Sequence, residues 1–515
     1  MKRTSQSHPM QIASIPLGHG TVGVTFCPGK KAESIHGPPW DRDLDTDLQA
    51  IEAWGASTVV TLLESHEFGL LNVPDLPSVM NRRFDWLHMP IADLGTPDTG
   101  TEGMWSTHSE RLLCEVKQGK RVLFHCRGGL GRAGMMAARL LMDGGLSAGK
   151  AIELVRSRRP GAIETPDQES YLANHPSFLS HASLLGLAVG DATGAAIEFS
   201  TFSEIEAVFE GQVDVLLPAY GKVGAITDDT QMALFTAEGT IRTIYRASTK
   251  GIGSGAAVVH HALLRWLLTQ GVATGVPMDR KVGLIALPEM HTRRAPGTTC
   301  ITSLQAAKSL GVPARNQSKG CGTIMRVAPL AFGVDRSHLR QFAIETSALT
   351  HGHRTGQLAA AFWAELVSHV VRGDTVEDAV AALLKDYTRI DGSDEVANAV
   401  AKAMDAKPDG SPESVSSLGE GWIAEECLSI ALYSAINAEG FNHGISMAVK
   451  HSGDSDSCGA VAGSLLGILY PEEVLNGKAS SQLELQSHIR KLSKDLHNFQ
   501  LIEFERFEDP FYAPW

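Results

Sequence analysis

The rhythm of hydrophobic and polar positions changes once along the chain, close to residue 175. Ahead of that point, short apolar runs alternate with stretches of helical period. "STVVTLLE" (57–64) and "RVLFHC" (121–126) predict short buried strands. Residues 46–55 and "GMMAARLLMDGG" (134–145) predict helices, the second stopped by Gly144 and Gly145. Such alternation predicts an α/β layer fold for residues 1–174. The proline-bearing segment 156–177 follows, and its latter half reads as a linker. Beyond it the period is helical throughout, as in 229–247, 255–271, 357–371, 375–387 and 422–436. Residues 175–515 therefore read as an all-α domain. The expected architecture is multidomain, α/β followed by all-α.

Composition supports two large cores. The chain has 515 residues, 43% hydrophobic and 20% charged, too long for one ordinary core. Ala and Gly are abundant and aromatics few, which favours closely packed helices. A net charge of -13 argues against an extended nucleic-acid surface, although a nucleic-acid substrate is not excluded. The seven cysteines are scattered, without a C-x-x-C pair, so a disulfide framework and a zinc knuckle are both disfavoured. A reducing cytosol fits, and no run approaches the ~20 apolar residues of a membrane span.

Two places carry chemistry. The first is "FHCRGGLGRAG" (124–134), which sets Cys126 after a strand and Arg132 ahead of a helix. Gly128, Gly129 and Gly131 let the backbone curl so that successive N–H groups converge on one centre. The helix dipole adds positive potential, and Arg132 can grip two oxygens of a phosphate. The same field favours a thiolate, so Cys126 can act as a nucleophile.

The second is a pair of acidic loops, each entering a helix. "GAITDDTQMALF" (224–235) supplies Thr227, Asp228 and Asp229; "HSGDSDSCGAVAG" (451–463) supplies Asp454, Asp456 and Ser457. Each alone reads as a helix cap. Together they need a counter-charge, and neither loop contains Lys or Arg. The donors are carboxylate and hydroxyl oxygens without a thiolate or imidazole cluster. That pattern suits hard cations, two Mg²⁺ ions with Mn²⁺ as the substitute, about 3.5–4 Å apart.

The first motif resembles the cysteine-dependent tyrosine and dual-specificity phosphatases, closest to the cyclin-dependent kinase inhibitor phosphatases that share "HC-x-GGLGR". The likeness covers roughly 15–174 and includes "PIADLGTPD" (90–98) and 155–168. It implies a phosphocysteine intermediate, with Asp93 protonating the leaving oxygen and Asp98 as second choice. The chain departs from the family at Ala133, where a Ser or Thr hydroxyl usually helps the sulfur leave.

The second pair resembles the metal motifs of the ADP-ribosylglycohydrolases, the family of dinitrogenase reductase-activating glycohydrolase, over about 178–475. "LLGLAVGDATGAAIEF" (184–199), "KGCGTIMRVAPLAF" (319–332), "THGH" (350–353) and "GWIAEECLSIAL" (421–432) belong to the same likeness. It implies that Thr227, Asp228, Asp229, Asp454, Asp456 and Ser457 hold the metals, with Ser457 replacing the usual threonine. Glu198 is the candidate base or metal-linked switch, and Asp191 a helix-end contact. Gly322 and Thr323 would line the diphosphate and ribose pocket, with His351 beside the ribose and Trp422 facing substrate. The implied substrates are ADP-ribosylated and phosphorylated proteins. The alternative is a phosphatase joined to a domain that binds ADP-ribose without hydrolysing it.

Overall fold

The computed structural model describes residues 2–34, 37–209, 215–251, 253–498 and 509–512. They form two compact units, one ending at Phe178 and the other beginning at Leu179.

The first unit is built on a five-stranded sheet. Its strands are β1 Ala13–Leu17, β2 Gly20–Phe26, β5 Thr58–Thr61, β6 Asp85–His88 and β7 Arg121–Cys126; β3 Lys31–Ala32 and β4 Trp40–Asp41 pair separately. The order is β1-β2-β7-β5-β6, with β1 antiparallel to β2 and every other pairing parallel. β7 therefore lies at the centre. Val122 to Cys126 are buried without alternation, as expected of a parallel strand covered on both faces. The predicted helix 46–55 is Leu44–Trp54, capped by Asp43 and stopped by Gly55 in the left-handed region. The helix predicted from 134 begins earlier, at Gly131, and ends at Asp143.

The expected linker is helical instead. Pro166–Ala173 and Pro176–Gly194 are helices that each open on proline, where the missing N–H was never going to be bonded. Thr165 caps the first by accepting from the Gln168 amide at 3.2 Å. These prolines start helices rather than interrupt structure.

Among its described residues the second unit is helical apart from the two-residue strands β8 Pro218–Ala219 and β9 Lys222–Val223. Three helices define its centre: Pro176–Gly194, Asp228–Lys250 and Ser455–Leu469. Leu187, Ala233, Ala328 and Ala460 pack together there. The first and third helices touch backbone to backbone along glycines. A Cβ at Gly190 would lie 1.9 Å from the Gly459 carbonyl oxygen, and one at Gly463 would lie 2.1 Å from that of Gly186. At Gly194 the facing backbone is that of Asp456. This approach carries the acidic end of one helix onto the acidic start of the other. No helix among the described residues is long and apolar enough to cross a membrane.

Candidate active sites

The first site forms where β7 ends. Cys126, its last residue, is 3% exposed. The chain then turns into the helix Gly131–Asp143. Gly129 has φ +69°, and a Cβ there would lie 2.4 Å from the Thr25 carbonyl carbon, so only glycine fits. The Gly129 amide donates to Cys126 Sγ at 3.2 Å. Arg159 braces the loop, donating to the carbonyls of Gly129 at 3.0 Å and Gly128 at 3.3 Å. The Gly131 amide, expected to be open toward a ligand, instead donates to Glu164 at 2.7 Å.

Arg132 is buried and pinned. Its Nη1 and Nη2 donate to the two oxygens of buried Glu67 at 2.6 and 2.9 Å, and Nη1 also donates to the Ile91 carbonyl at 2.8 Å. On the solvent side Asp93 Oδ1 lies 2.9 Å from Arg132 Nη2, and Asp93 Oδ2 lies 3.5 Å from Arg127 Nη1. Asp98 is placed otherwise: it caps the helix Thr99–Lys117, accepting from the Thr101 amide at 2.8 Å. His125 sits beneath the loop, its Nε2 2.7 Å from Thr61 Oγ1, and burial pushes it down to about 3, which keeps it neutral.

The second site is a cavity of about 560 Å³. Glu198, Asp228, Asp229, Asp454, Asp456 and Ser457 line it together with Gly320, Cys321, Gly322 and His351. Thr227 and Thr323, expected at this site, do not line the cavity. Thr227 is the N-cap of Asp228–Lys250, and Thr323 Oγ1 donates to the Gly356 carbonyl at 2.9 Å. Asp454 likewise caps Ser455–Leu469. Asp191 holds the end of Asp228–Lys250, accepting from the Thr227 amide at 3.0 Å and the Thr230 amide at 3.1 Å. It also does more than the sequence suggested, since carboxylate atoms of Asp191, Asp229 and Asp456 all lie within 4.8 Å of one another.

The electrostatics are those of crowded acids. Burial, with the neighbouring carboxylates adding to it, pushes Asp228, Asp229 and Asp456 well above the usual carboxylate range. Burial, then the Asp454 charge, pushes Glu198 up to about 8. The largest charge effects on Asp228, Asp229 and Asp456 come from other carboxylates. Isolated buried carboxylates are costly, and closely set carboxylate and hydroxyl oxygens are the donors a divalent cation takes. The residues present therefore fit a metal centre.

Several contributors were not visible in the sequence. Glu67 lies 65 positions from the arginine it pins. Residues 295–300 line the second cavity, and the Gly297 amide donates to Asp228 Oδ2 at 3.2 Å; the only local signal was a Pro-Gly turn before a helix. At the mouth, Phe199 and Trp422 stack with ring centroids 5.4 Å apart and planes 19° apart. The sequence reading also excluded sulfur, yet Cys321 Sγ donates to Asp454 Oδ2 at 2.8 Å.

Fold and sites define a pair of hydrolase domains in one chain. A family profile described as ADP-ribosylglycohydrolase matches residues 179–503, and one described as Swiss Army Knife protein, DSP-PTPase phosphatase domain, matches 41–172. The mouse cyclin-dependent kinase inhibitor 3 is 31% identical over 171 residues, 32% of this chain and 77% of the relative. The human protein tyrosine phosphatase type IVA 3 is 30% identical over 138 residues, 27% of this chain and 74% of the relative. A solved ADP-ribosylglycohydrolase-related protein complex matches at 24% identity and a TM-score of 0.46, covering 63% of this chain and 98% of its own. The chain belongs to the ADP-ribosylglycohydrolase family and carries a dual-specificity-type phosphatase domain ahead of it.

Removing Glu67 leaves the buried Arg132 without its main partner, which costs about 3–5 kcal/mol. Glu67→Ala is expected to lower the calorimetric transition of the first unit by about 10 °C and leave that of the helical unit in place. An unchanged transition would mean that Asp93 and the carbonyls suffice to hold Arg132.

Proposed function

We propose that the chain is a bifunctional hydrolase: a cysteine phosphatase in residues 1–174 and a metal-dependent ADP-ribosylglycohydrolase in residues 175–515. Its substrates are phosphorylated and ADP-ribosylated proteins. Its seven free cysteines suit a reducing, cytoplasmic setting.

In the phosphatase, Cys126 Sγ attacks phosphorus, forming an S–P bond while the P–O bond to the leaving group breaks. Asp93 delivers a proton to that oxygen. Asp93 stands on the solvent face of Arg132, so an incoming phosphate takes its place there and frees it to act on the leaving group. The amides of Gly128, Gly129 and Gly131 face the phosphate oxygens, the last after leaving Glu164. Ala133 offers no hydroxyl to the departing sulfur, so hydrolysis of the phosphocysteine is the slow step.

The observation that supports the second activity is one cavity lined both by the clustered carboxylates and by the glycine loop 320–322. Asp228, Asp229, Asp454, Asp456 and Ser457, with Asp191 alongside, would hold two divalent ions, magnesium or manganese. When bound, such ions would supply Lewis acidity to oxygens of the substrate and of an attacking water. Glu198, which lines the cavity, is the candidate base for an attacking water or a metal-linked switch. Of the loop amides, those of Gly320 and Cys321 donate to Ser318 Oγ and the Trp422 carbonyl, so Gly322 is the residue whose amide would hold the diphosphate, and His351, kept neutral by burial, packs beside the ribose. The Phe199–Trp422 stack at the mouth offers an aromatic face to the substrate.

The full chain is expected to release free ADP-ribose from at least one of a panel of ADP-ribosylated arginine, serine and nucleic-acid substrates. Release requires magnesium, stops with chelator, and falls by about 10² or more in Asp454→Ala. Binding of ADP-ribose without release, or release untouched by that substitution, would contradict the assignment. In stopped flow with p-nitrophenyl phosphate, a burst of one product per chain should precede a slow steady phase. Ala133→Ser should speed that phase by about tenfold or more. Single-phase kinetics without a trapped phosphocysteine would exclude the slow second step.

A further inference from the structure

The metal reading above rests on oxygen donors, yet a sulfur stands among them. Cys321 lies in the glycine loop at the cavity wall and is partly accessible from it. Its Sγ is 2.8 Å from Asp454 Oδ2 and 3.3 Å from Ser457 Oγ, and Ser457 Oγ is 3.0 Å from Asp229 Oδ1. Zinc-type ions hold oxygen at about 2.1 Å and sulfur at about 2.3 Å, so neighbouring donors on one ion stand about 3.5 Å apart in tetrahedral and about 3 Å apart in six-coordinate geometry, the latter open to cobalt. The run Asp229, Ser457, Cys321, Asp454 has that spacing, although the four residues come from three distant parts of the chain.

We propose that Cys321 is a ligand of the ion held by Asp454 and Ser457, which makes that position favour cobalt or zinc over magnesium and manganese. The inference rests on the metal reading and deepens it. Without a cation the thiol proton bridges to Asp454. When an ion binds, the S–H proton leaves to solvent and an S–metal bond takes its place. Magnesium bonds to oxygen and water and gains nothing from sulfur, whereas later transition ions do. A position that also holds Asp191, Asp228 or Asp456 keeps oxygen donors only, so the two ions need not be alike.

The test uses the full chain, stripped with chelator and titrated anaerobically with cobalt(II) chloride. A thiolate-to-cobalt charge-transfer band should rise in the near ultraviolet as cobalt binds. It should vanish in Cys321→Ser and persist in Cys300→Ser, whose sulfur lines the same cavity. Zinc and cobalt affinity should fall at least about tenfold in Cys321→Ser, with magnesium affinity within a factor of two. Independently of any variant, bound cobalt should protect Cys321 from iodoacetamide, read by peptide mass spectrometry, and leave exposed Cys114 reactive. Cobalt that binds without the band, a band that survives in Cys321→Ser, or unprotected Cys321 would overturn the proposal and leave the metal reading standing. Absence of bound cobalt in equilibrium dialysis, with magnesium also unbound, would overturn both.

Discussion

Buried carboxylates that face one another are the constraint on which the larger half of this chain depends. Asp228, Asp229 and Asp456 are each at most 5% exposed, and Asp191 is fully buried beside them. Such a cluster opposes folding unless positive charge enters it. Part of the compensation is built in. Two helices, Asp228–Lys250 and Ser455–Leu469, present their N-termini here, and their dipoles favour negative charge. Amides of Thr227, Thr230, Ser457 and Gly297 donate to the acids. These partial charges fall short of several full ones, and the remainder is what a divalent ion would supply on the proposed metal reading.

The packing that enforces this crowding is apolar. Glycines at 186, 190, 459 and 463 leave no Cβ at the points where two helices cross, and the backbones meet there. A larger residue at any of them would part the helices and, with them, the acidic ends. The phosphatase unit solves an opposite problem with a related device. There the buried charge is Arg132; Glu67 neutralises it on the inner side, and on the outer side it meets the half-exposed Asp93. In both units a helix start, not a helix face, carries the chemistry.

How much of this was legible depended on distance along the chain. The loop from Cys126 to Arg132 and the runs 227–229 and 454–457 are local, so residue type and spacing expose them. The helix 46–55 was legible for the same reason, although its start at Leu44 and its Asp43 cap were not read. Glu67, residues 295–300 and the Cys321–Asp454 contact join segments tens to hundreds of residues apart, and no local period records such a pairing. Cys321 was passed over because an isolated cysteine has no spacing to read. The linker expectation failed through proline's double meaning: at 166 and 176 it opens helices. Thr227 and Thr323 carried the right motif, but their hydroxyls serve the helix start and the loop behind the wall.

The most direct test of the account is calorimetric titration of chelator-stripped protein with manganese, paired with the melting of the helical unit. The account predicts two ions bound per chain and a melting temperature that climbs with manganese concentration, as linkage requires. Both should be lost when Asp229 and Asp456 are changed to Asn. A stripped protein that takes up no manganese and melts at the same temperature with or without it would show that the acids are held together by something else.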